Sequence, residues 1–285
     1  MSEIKSFEDV LKVEDELERI SALYEFFNED MRLNSKATRV EFLTTIHIIN
    51  RYLKPGSKIL DIGAGAGEYS LHFAKQGYDV TAVELTEANI KAFEAKLSPE
   101  LSIDLHQGNA CDLSKFADNE FDVVLVLGPL YHLSQEKDQR KCIQEAKRVC
   151  KDDGVILFAF LSNDMVLLTA NFVEDPDYFK SDKYDHETFK LKDGVFVFFT
   201  VDRARKLLVD EGIEMVTEVA QDGLSELLGD KINAMDDESY AQYLKYHLYA
   251  CEKPELLGHS NHIMFVGKGK HTLMVVDTEK FMSRL

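Results

Sequence analysis

The sequence predicts a doubly wound α/β fold, a mostly parallel sheet with helices on both faces. From Lys58 onward, short apolar runs alternate with helical segments, the rhythm of repeated β-α units. The first run, Ile59-Leu60-Asp61-Ile62, turns through Gly63, Gly65 and Gly67 into a helix. Such a turn leaves backbone N–H groups and a helix N-terminus facing a ligand. A later run, Phe121 to Leu127, is nearly all apolar, as a central parallel strand should be.

The elements follow in order. Residues 6–28 read as one amphipathic helix, with Phe7, Val10, Leu11, Leu17, Ile20, Tyr24 and Phe27 at helical spacing. A second helix runs from Ala37 to Leu53 and stops at Lys54-Pro55-Gly56. Strands are expected at 58–62, 79–84, 101–106, 121–127 and 155–161. Thr86 caps the helix after the second strand, Ser134 opens the helix after the fourth, and Asp152-Asp153-Gly154 is read as a turn. The rhythm then breaks over 162–200, an aromatic-rich insert in which 194–200 looks like an arm of a hairpin. A helix at 201–211, a strand at 213–220, a helix at 236–251 and a closing strand at 261–267 complete seven core strands, with 272–276 as a further edge strand. The expected organisation is a helical lid (1–56), a binding core (57–161), an inserted cap (162–200) and the C-terminal part of the sheet (201–285) with a second insert near 222–255.

Composition narrows the function. With 33 Lys+Arg against 51 Asp+Glu the net charge is −18, which demotes nucleic-acid partners because phosphate backbones are repelled. The four cysteines, Cys111, Cys142, Cys150 and Cys251, form no C-x-x-C pair, pointing to reduced thiols in a cytoplasmic protein and away from a zinc site. The charged N-terminus is unlike a signal peptide, and there is no apolar run long enough to span a bilayer, so a soluble protein is expected.

Several residues sit where chemistry is expected. Glu84 ends the second strand, where an acid can accept two hydrogen bonds from a ribose diol; the plainer reading is an acid at the next helix N-terminus. Tyr131 and His132 follow the fourth strand, and His132 is a candidate general base because imidazole titrates near neutrality. The plainer reading there is a buried, hydrogen-bonded histidine.

The D-x-G-x-G-x-G run, Asp61 to Gly67, differs from the G-x-G-x-x-G of dinucleotide sites. It resembles motif I of the class I S-adenosylmethionine-dependent methyltransferases. Gly108-Asn109-Ala110-Cys111-Asp112-Leu113 resembles that family's adenine-binding segment, and Pro254 to Gly267 is similar to the closing segment of small bacterial members. The resemblance implies a seven-stranded Rossmann-like sheet and an enzyme of EC 2.1.1.- that uses S-adenosylmethionine. It implies that Asp61, Gly63, Ala64, Gly65, Gly67, Glu84, Leu85, Asn109, Ala110 and Leu127 line the cofactor and that Arg32 meets its carboxylate; otherwise Arg32 is a solvated arginine. Gly128 stands where amino-methylating enzymes carry a polar acceptor, which lowers the case for base or amide methylation. A small apolar or planar acceptor is the leading expectation. A tRNA-modifying methyltransferase, an NAD-dependent oxidoreductase and a non-catalytic binding module remain as alternatives, and oligomeric state stays open.

Overall fold

The computed structural model describes residues 7–27, 29 and 32–269. An eight-stranded sheet runs in the order β3-β2-β1-β4-β5-β8-β7, with a two-residue β6 beside β5. The strands are β1 (Lys58–Ile62), β2 (Asp79–Glu84), β3 (Ile103–Gln107), β4 (Phe121–Val126), β5 (Cys150–Ser162), β6 (Phe198–Phe199), β7 (Glu214–Ala220) and β8 (His262–Lys268). All pairings are parallel except β5–β8 and β8–β7. The doubly wound α/β fold is therefore as expected, with β6 added to the seven core strands. The expected edge strand at 272–276 lies outside the described residues.

Burial on both faces explains the apolar runs. Val124 and Val126 of β4 join Phe158 and Phe160 of β5 in one core layer, with α6 (Glu136–Val149) and α8 (Val201–Asp210) over it. Val123 and Leu125 join Val155 and Leu157 in the other, beneath α3 (Lys36–Ile49) and α4 (Glu68–Lys75). Alternating side chains thus meet two cores, so no polar face interrupts the strand.

Several boundaries differ from expectation for identifiable reasons. The first segment is two helices, α1 (Phe7–Leu11) and α2 (Glu16–Phe26), because Asp15 accepts a hydrogen bond from the Glu18 N–H (2.9 Å) and caps a new start. The Thr86 side chain does not cap α5 (Glu87–Glu94); its hydroxyl donates to Glu84 at 2.8 Å. Ser134 donates to Glu16 of α2 from its N–H (2.7 Å) and its hydroxyl, leaving Gln135 to begin α6. Asp152-Asp153-Gly154 is no turn: it lies inside β5 at a register shift opposite Phe121–Val123. A Cβ at Gly154 would come within 2.8 Å of the Asp122 carbonyl.

The inserts build local structure. Residues 163–199 comprise α7 (Asn163–Thr169), a π-turn, a 3-10 turn and β6, and the expected hairpin arm shrinks to Phe198–Phe199, parallel to β5. Tyr178, Phe179 and Tyr184 cluster with Leu167 and Leu191 as that insert's own core. In the second insert, α9 (Gly229–Asn233) and α10 (Asp237–Ala250) hold the start of α3. The Asn233 side chain accepts from Ala37 N–H (2.9 Å), and the Tyr240 hydroxyl donates to the Lys36 carbonyl (2.8 Å).

Gly67 starts α4 with φ 86°, and a Cβ there would lie 2.5 Å from the Phe93 ring. Gly56 has a similar φ of 80° with nothing within 4 Å. Gly67→Val should cost about 2–4 kcal/mol in urea unfolding, combining left-handed strain and overpacking. Gly56→Val should cost only about 1–2 kcal/mol from strain alone; equal losses would contradict the packing account.

Candidate active site

Strand order reverses between β1 and β4, and a cavity opens at the carboxyl ends of these strands and β2. Ligands bind such folds at this switch point. Asp61, Gly63, Ala64, Gly65, Glu84, Leu85, Asn109, Ala110, Leu127, Arg32, Tyr131 and His132 all line it. Gly67 does not: it is turned toward Phe93 and shapes the turn from behind.

The glycine turn is held by backbone and carboxylate together. The N–H groups of Gly63 and Ala64 donate to the Val83 carbonyl (2.7 and 3.1 Å). Glu84, 4% exposed, accepts from the Gly65 N–H (2.9 Å) through Oε2 and from Thr86 N–H and hydroxyl (each 2.8 Å) through Oε1. Gly63 has φ 70°, and a Cβ would meet the Pro129 ring at 2.8 Å, so the turn and the loop after β4 touch because no side chain separates them.

The cavity floor is acidic. Asp61 is buried, which pushes its carboxyl up to about 6 against the hydrogen bonds from Ser70, whose hydroxyl donates at 2.7 Å. Burial also raises Glu29, with Arg32 opposing. Arg32 is not solvated: its Nε donates to Glu29 (2.8 Å) and its two terminal nitrogens to Glu41 (2.6 and 3.1 Å). These three bonds leave two of a guanidinium's five donors. Asn109 turns its Oδ1 onto the Cys111 N–H (2.8 Å) in an Asx turn, so its oxygen serves the loop.

The far wall is aromatic. Tyr131 donates its hydroxyl to the Leu127 carbonyl (2.9 Å). His132 Nδ1 faces the Val195 carbonyl (3.3 Å), which can only accept, so Nδ1 carries the proton and Nε2 accepts from the Tyr24 hydroxyl (2.8 Å). Burial pushes His132 down to about 4. A neutral imidazole with both nitrogens engaged is a poor general base; in this geometry His132 orients Tyr24. With Leu17 and Ile20, Tyr24 brings α2 onto the cavity, tied at one end by Glu16 to Ser134 and at the other by Tyr24 to His132.

Sequence reasoning treated Tyr24 only as part of an apolar stripe and passed over Glu29. The signal for Tyr24 was a hydroxyl at the end of a buried stripe, which needs a partner. Conversely, none of residues 162–200 or 222–255 lines the cavity; Phe196 is the nearest insert aromatic, its ring 5.1 Å from that of His132.

His132 makes a testable contribution. Its pKa is depressed from an unfolded value near 6.5, so its stabilising effect is full above pH ~6.5 and is lost as pH falls toward 4, up to about 3 kcal/mol. Urea midpoints between pH 7 and 4.5 should fall less in His132→Gln than in the wild type; parallel curves would contradict the buried, neutral imidazole.

Comparison with known proteins agrees with this geometry. Residues 60–158 match the family model described as a methyltransferase domain. A putative methyltransferase of Geobacillus sp. (strain WCH70) is 33% identical over 113 residues, 39% of this chain and 45% of that protein. A glycine/sarcosine N-methyltransferase of Aphanothece halophytica is 27% identical over 143 residues, 50% of this chain and 54% of that one. The chain thus spans about half the length of the curated relatives it matches. The crystal structure of a SAM-dependent methyltransferase from Methanosarcina mazei shares the fold, with a TM-score of 0.51, 22% identity, and coverage of 78% of this chain and 96% of that one. Residues 60–158 are thus similar to a methyltransferase domain, and the sheet shares the fold of the Methanosarcina mazei structure.

Proposed function

We propose that this protein transfers a methyl group from S-adenosylmethionine to a small, apolar or planar acceptor. The observation that carries the reading is the make-up of one cavity: carboxylates around a glycine turn at its floor, and aromatic and aliphatic side chains on its wall. The floor suits a cofactor with an ammonium and a sulfonium, since Glu29, Asp61, Glu68 and Glu84 face it against Arg32. When bound, S-adenosylmethionine supplies an electrophilic methyl carbon on a positive sulfur.

The chain's own residues do the positioning. Asp61 and the turn Gly63-Ala64-Gly65 would hold the amino-acid end, with Arg32 near its carboxylate. Glu84 and Leu85 would receive the ribose, Asn109 and Ala110 the adenine, and Leu127 the face near sulfur. Leu17, Ile20, Tyr24, Tyr131 and Leu133 would exclude water and orient a flat acceptor. Orientation of this kind supplies on the order of 7–11 kcal/mol without a dedicated base. In this reading α2 and the preceding segment act as a lid, and the inserts brace the sheet. The relative named as a glycine/sarcosine N-methyltransferase is consistent with a small acceptor, and the charge of −18 weighs against RNA.

Two outcomes are expected. S-adenosylhomocysteine release should rise with members of a panel of phenols, planar heterocycles and small amines and stay at background with bulk tRNA; release driven by tRNA alone would overturn the acceptor class. Glu84→Gln should weaken S-adenosylmethionine by about 1–3 kcal/mol in calorimetry, the scale of a lost charged hydrogen bond. An unchanged affinity would leave Glu84 as a tie for the glycine turn only.

A further inference from the structure

Behind the cavity wall formed by Arg32 and Tyr69, four side chains from three segments converge. Glu41 comes from α3, Asp222 and Glu226 from the turn after β7, and His262 from the start of β8. One ligand atom from each lies within 4.8 Å of all the others, and this is the one such group among the described residues. His262 Nδ1 is central, 2.7 Å from Asp222 and 3.6 Å from both Glu41 and Glu226. None of the four lines the cavity.

Three carboxylates brought together at this depth repel one another and lose hydration, so they need positive charge close by. Glu41 is 5% and Asp222 1% exposed. Arg32 pairs with Glu41 but is shared with Glu29, and His262, whose Nδ1 donates to Asp222 at 2.7 Å, is the other cation, so four carboxylates face two positive groups and an entering metal ion would replace the Nδ1 proton. A second observation points to a ligand. The Tyr69 hydroxyl is buried, lies beside the Glu41 carboxylate and has no hydrogen-bond partner that satisfies its geometry. Ser225 Oγ and Gln221 Oε1, on the turn that carries Asp222 and Glu226, are also buried without partners.

We propose that Glu41, Asp222, Glu226 and His262 form a binding site for a divalent transition-metal ion of the Mn²⁺, Fe²⁺ or Zn²⁺ class. Three oxygen donors and one imidazole select such ions over Mg²⁺ and Ca²⁺, which take oxygen donors alone. The ligands are oriented from outside, as metal ligands are. Ser260 donates to Asp222 (2.5 Å), Asn261 to Glu226, and Arg32 to Glu41 (2.6 Å). Glu226, whose side chain is 29% exposed, gives the ion access to solvent. The ion bridges the second insert to α3 and β8 and sits one residue from the cavity through Arg32 and Tyr69. The absence of a C-x-x-C pair does not bear on it, because its ligands are not cysteines and come together only in the fold.

The test is Mn²⁺ titration of the chelator-treated full chain, followed by electron paramagnetic resonance. One Mn²⁺ per chain is expected, with nitrogen coupling from His262. Glu226→Gln should weaken binding at least tenfold and Asp222→Asn should abolish it. No saturable binding of Mn²⁺ or Zn²⁺, or equal affinity in wild type and both variants, would overturn the proposal. The nitrogen coupling is read on the wild-type protein, so its absence from bound Mn²⁺ overturns the site even if Asp222→Asn fails to fold. Methyl-transfer activity enters none of these readouts.

Discussion

A buried carboxylate holds the glycine turn in place, and the cavity depends on it. Glu84 ends β2 and reaches across to the Gly65 N–H in the turn after β1 while accepting from Thr86 and, at 3.3 Å, from Asn89 at the start of α5. One side chain thus fixes the spacing of two parallel strand ends and the start of the helix after the second. An ionised acid in that position is stabilised by backbone donors and by the positive end of α5. It also presents negative charge to whatever enters. In the proposed reading the same atoms would serve folding and binding, with the turn in place before a ligand arrives.

The cavity combines this floor with a wall that comes from elsewhere in the chain. Its acids are concentrated near β1 and β2, where Asp61 is buried with a raised pKa and Arg32 is the nearby cation. Its aromatic side is assembled by α2 and the loop after β4, joined through the Tyr24–His132 hydrogen bond. A cationic donor and a less polar acceptor would be drawn to different ends of one space. α2 borders this space through Leu17, Ile20 and Tyr24, and it is held there by hydrogen bonds to Ser134 and His132 and by the packing of Ala22 and Leu23 against Val195.

Much of this was legible in the sequence, for local reasons. The strands of the core announce themselves because both faces of β4 and β5 are buried, and the glycine turn because φ > 0 and the contact with Pro129 demand glycine. Positions that line the cavity from β1, β2 and β4 follow from strand ends and could be named. Contacts between distant segments could not. Asp15 splits the first helix through a cap that competes with an unbroken apolar stripe. Tyr24 finds His132 only when α2 folds over the sheet. The sequence reading placed the aromatic-rich insert as a cap, but Tyr178, Phe179 and Tyr184 pack on one another instead of on the cavity. The Glu41–Asp222–Glu226–His262 group has no spacing to read, because its members meet across three segments.

The most direct measurement is calorimetric titration of the chain with S-adenosylmethionine, S-adenosylhomocysteine and NADH in parallel. The account predicts micromolar binding of the first two and none of the third. Binding of NADH alone, or of none of them, would contradict the assignment of the cavity.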